Sequence, residues 1–262
     1  MNTIPVKTWE QKWHVKTLLW VLLFLVIFIG AGNMTEVDVP EFFHGFDQFM
    51  VIFKEMLHPA WAYAPYIYQP LLQTIQMALV GTLIGSVLAI PFAVLAARNI
   101  MTNTFIRSIF RFILNIVRTI PDLVLAAIFV AIVGIGPMAG VLTLIVFSFG
   151  MVSKLFYEAI ETIDMGPLEA LTAAGANKTQ VVIFAVLPQV LNSFLSYFLY
   201  TLEINVRAST VLGYLGAGGI GELLQRSLGQ FRYDRTAVVV IGIFIVVIVV
   251  DTISNQLRER LA

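Results

Sequence analysis

There is no cysteine in this chain of 262 residues. That excludes disulfides, cysteine-ligated metal centres and a thiol nucleophile. Histidine is scarce too: His14, His44 and His58 share no helical spacing, so no histidine metal cluster is expected. Only 12% of residues are charged, and 16 basic residues cancel 16 acidic ones. Net charge therefore points to no nucleic acid or other charged partner. No G-x-x-x-x-G-K-[ST] loop is present, so the chain is not expected to hydrolyse ATP itself. No Ser/His/Asp set and no paired carboxylates stand out, which argues against an enzyme.

What the chain has in abundance is apolar surface: 59% of its residues are hydrophobic and its mean hydropathy is +0.88. Soluble domains sit nearer half apolar. The apolar runs are continuous rather than alternating, which selects helices over a barrel in lipid. The fold class is all-α, a polytopic membrane bundle of about six transmembrane helices.

Residues 1–16 form a polar N-terminus with Lys7, Lys12 and Lys16, and 17–34 a first span. A basic start followed by an apolar core also describes a signal peptide; the run is read as a permanent anchor. Residues 35–69 hold Glu36, Asp38, Glu41, Asp47 and Glu55 among Phe42, Phe43, Phe46, Phe49 and Trp61. They read as an outer amphipathic segment with rings at headgroup level, either a linker or part of a surface that receives a binding protein. A transmembrane domain over 70–255 follows, then a short tail over 256–262. Its first span opens at Pro70 and carries Gly81 and Gly85, whose small face lets helices approach. Arg107, Arg111, Asn115 and Arg118 share one helix face. They make either an amphipathic helix at the inner headgroups or the wet end of the next span, with a lipid-switch target as a third reading.

Thr119 is placed to cap the third span, with Pro121 and Asp122 in its first turn. The fourth span ends near Ser153. Each of these two runs rises roughly 25 Å, short of a ~30 Å hydrocarbon core. A loop over 154–186, a fifth span over 188–205 and a last one over 236–254 complete the pattern. With the N-terminus inside, inner segments hold eleven of the 16 basic residues and outer ones five. That favours six spans with both termini cytoplasmic, and puts the 154–186 loop in the cytoplasm.

Inside that loop Pro167 suits a first helical turn, Glu169 a dipole-favoured position, and Gly175 a left-handed helix end. Asn177 with Gln180 reads as a capping box for a second helix that runs to Leu187-Pro188. This compact knob resembles the EAA signature of the permease subunits of bacterial ABC importers, carried by Glu169, Ala170, Gly175, Leu187 and Pro188. Leu171 and Ala185 depart from it by small apolar changes. Arg118-Thr-Ile-Pro-Asp, Leu187-Pro-Gln189, and Val206-Arg-Ala-Ser-Thr with its glycine tail are similar to the phosphonate/phosphite branch of this MetI-like family, over roughly residues 70–255.

The resemblance implies a homodimer, two ATPase subunits that bind ATP and Mg, and an extracytoplasmic solute-binding protein, in the inner membrane. It implies that Glu169, Ala170 and Gly175 lie on a helix that enters a cleft in the ATPase. The cargo it implies is a small organophosphorus anion: phosphonate, phosphite or a phosphate ester. An amino acid or another oxyanion is the alternative, and an ion-coupled secondary transporter a further one that Asp122 and Glu203 are too few to support.

Among Gly213, Gly216, Gly218, Gly219 and Gly221, the run from Gly216 to Gly221 satisfies G-x-G-x-x-G literally, but a membrane helix rather than a strand precedes it, so no dinucleotide site is expected. They allow irregular backbone and close helix approach, with free N–H groups that can face an anion. Arg207, Ser209 and Thr210 stand just before them, and Glu203 one turn earlier. Glu203 and Arg207 are either a self-neutralising pair or part of a solute pathway in which Arg207 meets the anion.

Overall fold

The computed structural model describes residues 15–35, 40, 43 and 45–261. The expectations for residues 1–14 and for Glu36, Asp38, Glu41, Phe42 and His44 lie outside them. The chain divides between Lys54 and Glu55 into two compact units. In the first, α1 (Val15–Met34) is a 20-residue helix, about 30 Å long and apolar on all sides. Trp20 and Phe24 stand exposed on it, as on a span that faces lipid. Helix α2 (Phe46–Met56), which crosses the division, has Asp47 in its first turn and Lys54 in its last. Phe46, Phe49 and Phe53 line one side of it.

In the second unit α3 (Ala64–Ala96) opens with Pro65 in its first turn, six residues before the expected start. Pro70 is taken inside this helix. Its buried stripe, which includes Thr74, Ala78, Gly81, Gly85 and Ala89, follows the spacing of one helix face and packs along α6 (Pro137–Glu161). A Cβ on Gly81 would stand 2.5 Å from that of Leu144, and one on Gly85 2.6 Å from Ile145 O. The small face is therefore the reason the two helices approach so closely.

Between them α4 (Thr104–Thr119) and α5 (Asp122–Val133) meet at 86°. Ile120 is extended, as the residue before Pro121 must be. Thr119 does not cap α5: its hydroxyl donates back to Ile116 O, and Pro121 holds the cap position without a side-chain bond. The arginine face of α4 turns inward at Arg107 and Arg111, while Asn115 and Arg118 stay exposed. Arg111 donates to Ala96 O at 2.9 Å and pairs with Glu161, while Phe105 and Phe112 are exposed.

Helix α6 does not end near Ser153 but runs to Glu161, so the stretch expected as a loop from 154 begins inside it. Lys154 is tolerated there because it pairs with Glu158 and donates to the Tyr157 hydroxyl at 2.7 Å. Helices α7 (Gly166–Ala173) and α8 (Lys178–Val181) lead through a π turn (Val182–Val186) into α9 (Leu187–Leu212). Helices α10 (Ile220–Gly229) and α11 (Tyr233–Leu261) close the chain.

Among the described residues five helical stretches are long and apolar enough to cross a membrane: Lys16–Met34, Trp61–Ala96, Pro137–Glu161, Lys178–Leu215 and Tyr233–Leu261. A sixth exists only if the bent α4–α5 pair is one crossing. Alone, α5 spans only about 18 Å.

Candidate functional site

The knob is built as its sequence pattern requires. Glu169 lies exposed in the first turn of α7, and Leu168 beside it is 5% exposed. Leu168 roots the knob in an apolar cluster with Ala96, Leu114, Phe156, Ile160 and Val186. Gly175 has φ +86, and the N–H of Ala176 donates to Leu171 O at 3.0 Å. Asn177 and Gln180 exchange both bonds of a capping box, at 2.8 and 2.9 Å. Ala170 is exposed, and Leu187 packs against the apolar cluster while Pro188 faces outward.

Three side chains whose bonds no local pattern announces brace this knob. Gln189 accepts from Asp164 N at 3.1 Å and donates to Asp164 O at 3.2 Å and to Ala185 O at 2.8 Å. Asn99 donates to Ile160 O at 2.5 Å. Glu161 accepts from Arg98 N at 2.8 Å and pairs with Arg111. A groove of about 540 Å³ opens between the α3–α4 connection and the knob, lined by Asn99, Met165, Leu168, Glu169, Thr172 and Val181. The π turn sits directly before Pro188. Pro188 has no N–H and its ring crowds the preceding turn, and a widened turn there relieves the clash. Leu187 N accordingly donates to Val182 O, five residues back.

At the other end of α9 the glycines pack backbone on backbone. A Cβ on Gly213 would lie 2.5 Å from Gly218 O and 2.7 Å from Gly221 Cα. A Cβ on Gly218 would lie 2.8 Å from Pro137 N, and one on Gly219 2.7 Å from Thr74 Oγ1. Gly216 O accepts from Gly136 N at 2.8 Å. Two of the N–H groups expected to face an anion are already taken. Gly219 N donates to Gln73 Oε1 at 3.1 Å and Ile220 N to Thr74 Oγ1 at 2.8 Å. A bend buried at 0% exposure for Ala217 and Ile220 cannot leave its amides bare, so α3 supplies side-chain acceptors.

Between these ends α9 carries polar and charged groups. Asn205, fully buried, donates to Thr82 and Ser148 hydroxyls at 2.7 Å each and so ties α3, α6 and α9 together. Glu203 pairs with Arg207 as the spacing predicts. It also accepts from Arg258 of α11 at 3.0 Å. The expected tail over 256–262 is thus helical through Leu261, with Arg258 turned onto α9. Ser209 is buried and donates to Val206 O at 2.8 Å, on a different face from exposed Arg207. Thr210 donates to Arg207 O at 2.7 Å. The geometry groups Arg207 with Glu203 and Arg258, and leaves Ser209 out. Among the described residues no group of His, Asp and Glu could hold a metal ion.

Residues 89–262 match the family described as the inner membrane component of binding-protein-dependent transport systems. The chain is 38% identical over 253 residues to the phosphite transport system permease protein PtxC of Stutzerimonas stutzeri, covering 96% of this chain and 90% of that one. It is 38% identical over 211 residues to the phosphate-import permease protein PhnE of Mycolicibacterium smegmatis, covering 80% of this chain and 40% of that longer one. Among solved structures it is similar to a chain of the inward-facing MetNI methionine ABC transporter, with a TM-score of 0.66 and 25% identity over 75% of this chain and 96% of that chain.

Proposed function

This chain belongs to the family of inner membrane components of binding-protein-dependent transport systems, and from that premise we propose that it imports a small phosphorus oxyanion of the phosphite, phosphonate or phosphate kind. The observation that carries the cargo is its identity to a phosphite permease along nearly its whole length. The arginines on and beside α9 supply the matching charge, since a guanidinium offers two parallel N–H donors to two oxygens of a tetrahedral anion. The likeness to a methionine transporter favours an amino acid instead, but at 25% identity it is the weaker of the two.

In this reading two copies of the chain enclose the pathway, two ATPase subunits bind ATP and Mg, and an extracytoplasmic protein delivers the anion. Both termini and the knob face the cytoplasm. Glu169, Ala170 and Gly175 enter a cleft in the ATPase, and the groove beside Glu169 receives a side chain from it. Closure of the ATPases pushes α7, the push crosses the Gln189 clamp, and α9 tilts at the π turn before Pro188. Gly81 and Gly85 allow α3 to slide on α6 without side chains catching.

The permease reconstituted with its ATPase and binding protein is expected to take up inorganic phosphite only with ATP. Excess methylphosphonate should suppress that uptake and excess methionine should leave it unchanged. Uptake of methionine in place of phosphite, or of phosphite without the ATPase, would sink the reading.

A further inference from the structure

Glu203 is the one carboxylate of α9 and is 7% exposed. Both its oxygens are occupied, Oε1 by Arg207 one turn on and Oε2 by Arg258 from α11. The Arg207 side chain is 54% exposed, that of Arg258 only 28%. Arg258 is held in addition by Asn255 Oδ1 at 2.7 Å and lies over the Tyr200 ring, 6.0 Å from its centroid. One carboxylate and two guanidiniums leave a surplus of one positive charge.

The surplus bears on how Arg207 could take part in transport. In a simple Glu203–Arg207 pair, an arginine that turned to a solute would strand a buried carboxylate with no counter-charge, which is heavily penalised. The pair would then hold itself shut. A second guanidinium on Oε2 removes that penalty. We infer that Arg258 is a positioning residue for the solute pathway: it keeps Glu203 neutralised so that Arg207 can exchange the carboxylate for an anion, and return to it when the anion leaves. The identity of that anion rests on the phosphorus oxyanion reading; the exchange itself does not.

The exchange is tested on the full transporter by the rate at which phenylglyoxal modifies Arg207, followed by mass spectrometry of its peptide. In R258Q, Glu203 has lost its other partner and holds Arg207 fast, so Arg207 is expected to react about tenfold more slowly than in the wild type. R258K keeps the charge and should react at the wild-type rate. E203Q/R258Q has no carboxylate to hold Arg207 and should react at least as fast as the wild type. Phosphite uptake should fall in R258Q and recover in E203Q/R258Q.

If the three residues only tie α9 to α11, each loss loosens the tie. Arg207 then reacts faster in R258Q, and the double variant transports no better than the single; either result overturns the proposal. Should R258Q not accumulate in the membrane, uptake by E203Q/R258Q decides: retained under exchange, lost with a tie. If the reactivity order holds but inorganic phosphite gives the wild-type Arg207 no protection, the exchange stands and the phosphorus reading of the cargo falls.

Discussion

The knob that leads into α9 and the bend that follows it use glycine for opposite reasons. At the knob, Gly175 needs a backbone no L side chain adopts readily, yet a Cβ there would meet nothing within 4 Å. At the far end, Gly213 sits at an ordinary helical φ of −59, and a Cβ would strike Gly218 and Gly221. One end is shaped from within and surrounded by space; the other is defined by what presses on it. The difference separates a part free to be gripped and moved from a part fixed against α3, α5, α6 and α10. Each end has its own apolar layer: Leu168 roots the knob beside Phe156 and Ile160 and the Gln189 clamp braces it, while the glycine end is continuous with Met77, Ala126, Leu144, Leu212 and Ala217.

The sharpest way to break the comparison is to add volume at the crowded end. In Gly221→Val the new side chain would run into Thr210 O and lie 2.9 Å or less from Gly213 Cα. Backbone atoms cannot step aside as a flexible side chain does, so the cost should reach about 3 kcal/mol or more. The variant is expected to give little monodisperse protein in detergent. A normal yield with an unchanged melting temperature would mean that the glycine end is looser than its contacts imply.

A smaller loss is expected midway along α9. Asn205→Leu removes the donors to Thr82 and Ser148 and leaves a shape of similar size. Side-chain bonds between membrane helices contribute about 0.6–2 kcal/mol. Melting should fall by that order, clearly less than for Gly221→Val, and equal losses would erase the gradient along the helix.

Much of this gradient was legible from sequence because it is local. The φ of Gly175, the Asn177–Gln180 box, the small stripe through Gly81 and Gly85, and the four-residue step from Glu203 to Arg207 each follow from spacing along one helix. What escaped depends on distant chain segments. Nothing near Arg258 signals Glu203, which lies on another helix, and nothing near Gly219 announces that Gln73 and Thr74 will claim the bend's amides. The loop expected from residue 154 starts too early, because Tyr157 and Glu158 let Lys154 stay inside the helix. The bonds of Arg111 to Ala96 and Glu161 are not legible either, because helix periodicity says which residues share a face, not what that face meets. The pattern puts a helix start at Pro70, whereas Pro65 already fills that role.

At the open end the expected stability effects shrink again. Gly175→Ala should lose about 1 kcal/mol from the left-handed backbone alone, with no contribution from packing. Melting should therefore move less than in Gly221→Val by roughly the difference between strain and overlap. If the two variants melted alike, the distinction between the knob and the glycine bend would vanish.

The smallest effect on the fold should come with the largest effect on function. Glu169 is exposed, has no partner in the bonds that brace the knob, and is favoured only by the positive end of an eight-residue helix. That contribution is about 0.3–1 kcal/mol and is screened by salt. Glu169→Lys reverses it, yet leaves Leu168, Gly175 and the Gln189 clamp untouched, so yield and melting should stay close to the wild type. If α7 is the surface an ATPase grips, reversing charge on its outward face should abolish uptake while the helices stay folded in the membrane. The informative pairing is Glu169→Lys with Glu169→Gln. A contact made by charge should fail in both and more completely in the lysine variant, whereas one made by shape alone should survive glutamine. Wild-type uptake in Glu169→Lys would remove the knob from the transmission path, however well its local geometry suits the task.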